Sequence, residues 1–144
     1  MTRSLQDTGL SVKRLQMQHH RAANAELASI GITLVQWDAL RHLDQHPGAS
    51  LHDLARLTFQ TDQSFGALAA RMETGGLIAR LESPGRAVRH RLTGKGKRLR
   101  EAGGEIVERV LATSFAPLTA RELATLDGLL QRLVVVPASA DTAG

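Results

Sequence analysis

The sequence predicts a mainly α-helical fold carrying one small β-hairpin. Three observations predict it. Apolar residues recur at helical spacing through most of the 144 residues, broken by Gly, Pro and helix-capping residues. One region, from Leu77 to Leu92, instead reads as two short strands around the turn Ser83-Pro84-Gly85-Arg86. Eight of the eighteen Lys and Arg lie between Arg80 and Arg100, against the single acid Glu82. A strand-turn-strand with Arg at its tip, just after a polar-fronted helix, is the shape of a winged helix-turn-helix. A basic hairpin of that size reaches DNA phosphates.

The elements follow in order. Val12, Leu15, His19, Ala22, Ala23, Leu27 and Ile30 fall near one face of a first helix over about Gly9–Ser29, which Gly31 breaks. Thr33 and Gln36 form a capping-box pattern that opens a second helix with Trp37, Leu40 and Leu43 on its apolar face. His46-Pro47-Gly48 stops it. Ser50 caps a short third helix, with Asp53 in its first turn and Leu51, Leu54, Ala55 and Leu57 as its apolar set. After the turn Thr58-Phe59-Gln60, Thr61 or Asp62 caps a fourth helix whose buried face is Phe65, Leu68, Ala69 and Met72. Gly75-Gly76 ends it.

Strands are expected over Leu77–Leu81 and Ala87–Leu92, with Val88, His90 and Leu92 alternating against Arg89 and Arg91. Thr93 caps a long fifth helix that the Gly103-Gly104 pair is expected to weaken or bend. Thr119 and Glu122 form a further capping box, opening a sixth helix rich in Leu. The expected organisation is a dimerisation helix over residues 1–31, a DNA-binding lobe over 32–97, dimerisation helices over 98–137 and a disordered tail over 138–144. The first and last two helices carry more apolar surface than one chain can cover, and symmetric pairing supplies the cover.

Composition excludes several classes. With no Cys there are no disulfides, thiolate metal sites or thiol switches. No apolar run suits a membrane span and no signal peptide is evident, so a cytoplasmic protein is expected. Three Phe, one Trp and no Tyr argue against a single-strand binder that stacks bases on aromatics. His42 and His46 have metal-ligand spacing, but no carboxylate has a matching one, so neither metal nor cofactor is expected. Ser50, His52 and Asp53 are adjacent, whereas a catalytic triad converges from separated positions, and no enzyme is expected.

The order and spacing of several stretches resemble the MarR family of bacterial transcriptional regulators. Gly31 to Trp37 is similar to the family's Thr-x-x-Gln-aromatic entry to the second helix. Arg71-Met72-Glu73-Thr74-Gly75-Gly76-Leu77-Ile78 is similar to its exit from the recognition helix. Arg86-Ala87 and Leu92-Thr93-Gly94-Lys95-Gly96 are similar to its wing and the segment that follows. Together they cover roughly residues 30–100. One position departs: Pro84 stands where the family wing usually carries Asp. The resemblance implies a homodimer on a pseudo-palindromic double-stranded operator, most often as a repressor. It also implies release by a small aromatic or phenolic ligand bound between the dimer helices and the DNA-binding lobe.

The candidate DNA contacts are Thr61, Gln63, Ser64, Ala67 and Arg71 on the fourth helix, and Arg86, Arg89 and Arg91 on the hairpin. Gln bonds adenine bidentately, Ser bonds either base type, and Arg bonds a guanine edge or phosphate. The plain alternative for each is a solvated face. The candidate effector contacts are His19, Trp37 and Arg41. Trp37 offers a stacking face and Arg41, one turn on, a partner for a carboxylate. The plain alternative makes Trp37 core and His19 a satisfied core or interface histidine. A second function class is a winged helix used for protein interaction, which needs no cationic wing.

Overall fold

The structure is a computed structural model that describes residues 2–82, 85 and 87–135. Helix α1 spans Leu5–Leu27 and ends in a 3₁₀ turn at Ala28–Ile30. Helices α2 (Leu34–Gln45), α3 (Leu51–Leu57) and α4 (Asp62–Thr74) follow. Strands β1 (Ile78–Arg80) and β2 (His90–Leu92) form an antiparallel pair with Ile78 opposite Leu92 and Arg80 opposite His90. Helices α5 (Gly94–Phe115) and α6 (Ala120–Leu133) complete the chain.

Local chemistry sets the helix starts. Thr33, Ser50 and Thr119 accept from the backbone N–H three residues on, and Gln36, Asp53 and Glu122 accept from the cap's own N–H in return. The same box, Ser4 with Asp7, starts α1 earlier than its apolar pattern suggests. Thr61, not Asp62, caps α4. Gly76, at φ +75°, takes the left-handed conformation after α4.

One apolar core joins helices α1 to α5 and the hairpin stem. Leu27 of α1, Leu40 of α2, Phe65 and Met72 of α4 and Ile106 of α5 all belong to it. The predicted face of α4 is the buried one: Phe65, Leu68, Ala69 and Met72. Helix α5 runs without interruption through Gly103-Gly104. Gly103 is a packing device. A Cβ there would lie 2.5 Å from Trp37 Cδ1, so the missing side chain is the space the indole fills. Gly96 is tighter still, since a Cβ would stand 2.0 Å from the Leu77 carbonyl oxygen.

The strands are shorter than predicted. Beyond them the Arg89 carbonyl still accepts from the Leu81 N–H, while the second arm also engages a further partner: the Leu51 N–H donates to the Val88 carbonyl and Ser50 bridges Arg89. The hairpin is thereby pinned to the start of α3. Its predicted tip, Ser83, Pro84 and Arg86, lies outside the described residues, as does the predicted tail over 138–144.

Candidate nucleic-acid interface

Helices α3 and α4 pack against each other through Leu54, Ala55, Phe65 and Leu68, which leaves the opposite face of α4 outward. That face presents Gln63, Ala67, Ala70, Arg71 and Thr74, with Ser64 at its edge, all exposed. Thr61 caps the helix through its hydroxyl at 3.0 Å from the Ser64 N–H. Ser64 Oγ in turn donates to Gln60 Oε1 at 3.3 Å, and Gln60 Nε2 to Thr58 Oγ1 at 3.1 Å. These bonds order the turn between the helices. Within it Phe59 stands at φ +56° and 78% exposed. Neither the strain nor the exposure was legible in the sequence, because a left-handed turn position reads as Gly.

One contact joining the two helices was missed by sequence reasoning. His52 Nδ1 lies 2.8 Å from Asp62 Oδ1, tying the first turn of α3 to the first turn of α4. Helical periodicity could not find a pairing that crosses a turn.

The hairpin arginines are divided. Arg91 is exposed, opposite Ala79 in the register. Arg89 is half-buried and its guanidinium donates to the Gly48 carbonyl, so it braces the hairpin against the loop before α3. Arg86 lies outside the described residues. Between Arg89 and Arg91, His90 is buried. Burial pushes its imidazole below the usual pKa, the Glu73 carboxylate at 3.8 Å works the other way, and Arg80 adds to the lowering.

The three effector candidates do not form one site. Trp37 donates its indole N–H to the Arg100 carbonyl at 3.0 Å, and its ring rests on Gly103. The Arg41 guanidinium stands 5.9 Å from the indole centroid, within cation–π range. Both line a cleft of about 620 Å³ along α5 that also holds Glu101, Glu105 and Glu108. His19 lies elsewhere, 2.7 Å from Ser114 Oγ and edge-on to Phe115 near the far end of α5. On the other side of α2 a groove of about 730 Å³ runs from α1 to α4. It is lined among others by His20, Asn24, Gln36, Asp38 and the α4 residues Ser64 and Arg71.

Three helices and a pinned hairpin around a polar-faced fourth helix define a winged helix-turn-helix protein. A sequence profile described as MarR family matches residues 30–87. The chain is 30% identical to a MarR family protein of Mycobacterium tuberculosis solved in complex with p-aminosalicylic acid. That match covers 87% of this chain and 96% of the other, with a TM-score of 0.73. The structure of a Mycobacterium tuberculosis MarR family protein with DNA is 27% identical, covering 93% and 100%, at a TM-score of 0.77. A mutant MarR from E. coli complexed with operator DNA shares the fold at 22% identity and a TM-score of 0.81, covering 88% and 93%. No curated protein matches the sequence. The chain belongs to the MarR family. No helix among the described residues is long and apolar enough to cross a membrane.

Proposed function

We propose that this protein is a dimeric, sequence-specific DNA-binding transcriptional regulator. The observation that carries the reading is the outward face of α4, with Gln63, Ser64, Ala67 and Arg71 exposed beside a cationic hairpin. Gln63 and Ser64 supply base-edge contacts, Arg71 a guanine or phosphate contact, and Ala67 a methyl surface. Thr61, Arg86 and Arg91 serve the phosphate backbone. Arg89 acts through its brace on Gly48 as much as through charge. A related MarR family protein solved with DNA supports DNA binding by this chain. Membership of a family whose members are most often repressors supports a repressor.

We infer further that a small aromatic acid or phenol controls DNA binding from the clefts that flank α2. The p-aminosalicylic acid complex of the related protein supports that ligand class. The Trp37 cleft offers a stacking surface and Arg41, but three glutamates oppose a carboxylate there. The groove against α4 sets His20 and Arg71 against the one acid Asp38.

The test is selection of bound duplexes from random DNA, followed by titration with salt. The expected product is an inverted repeat with half-sites about 10 base pairs apart, bound with a salt slope of several counterions. Gln63→Ala is expected to relax preference at particular positions, costing about 1–3 kcal/mol per lost contact. Arg86→Ala is expected to weaken all sequences alike. Salt-insensitive binding would favour a protein-interaction module. Salicylate-driven release that is lost in Arg41→Ala but kept in His20→Ala places the ligand beside Trp37, and the reverse places it in the groove.

A further inference from the structure

A smaller cleft of about 390 Å³ opens at the base of the hairpin, between the end of α2, the β1–β2 stem and the first turn of α5. No residue of α3 or α4 lines it, and Arg91 is the one lining residue it shares with the surface proposed for DNA. Leu43, Pro47, Leu81 and Leu92 form apolar walls. The polar groups are His90, Arg91, Lys97 and Asp44. Asp44 is already committed, with Oδ2 3.1 Å from Arg100 Nε. Among the described residues the side chains of Arg91 and Lys97 have no ion pair or hydrogen bond. His90 is 5% exposed, yet lines the cleft, and its nearest carboxylate, Glu73, stands beyond hydrogen-bond range at 3.8 Å.

We propose that this cleft binds a compact dianion: a phosphate group, free or carried by a small phosphomonoester. Two cations with no ion pair among the described residues, Arg91 and Lys97, line it together with a buried imidazole. A carboxylate satisfies one cation, whereas a phosphate brings two charges and three acceptor oxygens. The four apolar walls leave room for a small organic remainder. Seated there, the dianion links the end of α2 to the stem of the hairpin.

Binding is coupled to a proton. His90 faces Glu73 from α4, Arg80 from β1, and Arg91, Lys97 and Asp44 around the cleft. Burial and Arg80 oppose its protonation. A dianion beside the ring reverses that balance, so occupancy and protonation favour one another.

The experiment follows the ring resonances of His90 and the side-chain resonances of Lys97 by NMR in the full chain. Inorganic phosphate and glycerol 3-phosphate are added separately at constant ionic strength, with chloride as control. The expected result is a saturable shift at both residues. The titration midpoint of His90 should rise by about half a pH unit or more. In Lys97→Met, an exposed position whose fold is checked by circular dichroism, the affinity should fall about tenfold. Saturation by the ester alone identifies the phosphomonoester as the ligand, and saturation by phosphate identifies the free ion. Shifts that chloride reproduces, or phosphate shifts unchanged in Lys97→Met, overturn the proposal. None of these readouts involves DNA, so they stand apart from the regulator reading.

Discussion

Gly103 and Phe59 show what a single residue does when its neighbours decide. In the sequence the Gly103-Gly104 pair reads as a weak point of α5. In the fold Gly103 is buried under Trp37, while Gly104 meets open space. Nothing in the local sequence connects residue 103 to residue 37, so the role was invisible there. Gly103→Ala is expected to force the indole aside and destabilise the fold by about 1–3 kcal/mol, as overpacking does, measured by urea unfolding. Phe59 behaves oppositely. It occupies a left-handed turn position that costs a non-glycine residue about 1–2 kcal/mol. Phe59→Gly is expected to raise stability by about 1 kcal/mol or less, once the freer unfolded chain is counted. An unchanged or lowered urea midpoint would show that the exposed ring makes a stabilising contact.

At the scale of elements, the helix starts were legible because capping is local. Thr33 with Gln36, Ser50 with Asp53 and Thr119 with Glu122 each act within one turn. The strands were half legible. Alternation marked the hairpin, but not that its second arm would also pair with Ser50 and Leu51 through Arg89 and Val88. The face of α4 followed from periodicity. The separation of His19 from Trp37 did not, since it depends on how α1 lies along α5. Two histidines give this architecture opposite pH responses. His42, in the last turn of α2, donates from Nδ1 to the Asp38 carbonyl at 2.8 Å and lies 3.4 Å from its carboxylate. The bond to Asp38 holds its pKa above the ordinary value, against the effect of burial. Its stabilisation is therefore complete below an unfolded value of about 6.5 and is lost as pH rises through the folded one. His42→Gln should cost more stability at pH 6 than at pH 8. His90, pushed down by burial, works the other way: the fold is penalised as pH drops below about 6.5. His90→Gln should flatten that acid loss. Thermal melts across pH 5.5–8 check both signs.

The whole molecule has one core but an incomplete surface. Helix α6 buries no residue within the single chain, and it exposes Leu129 and Leu133. Leu5 and Val12 of α1 are likewise exposed, at 91% and 58%. Four apolar side chains on the first and last helices are what a second copy would cover, which supports the proposed division into a DNA-binding lobe and dimerisation helices. Leu129→Glu is expected to shift the protein from dimer to monomer in sedimentation. It should also weaken binding to a two-half-site duplex far more than to a single half-site. A dimer that persists in this variant would place the interface elsewhere.

The seat of Trp37 on Gly103 has a mechanical consequence. Helix α5 is 22 residues long, a rigid rod of about 33 Å. It begins at the hairpin stem and ends beside His19 and Ser114. Trp37 grips it near the middle, as a fulcrum grips a lever. A tilt of about 5° about that point carries each end roughly 1–1.5 Å, in opposite senses. Under such a rigid-body tilt, motion at the far end would reach the wing in the opposite sense.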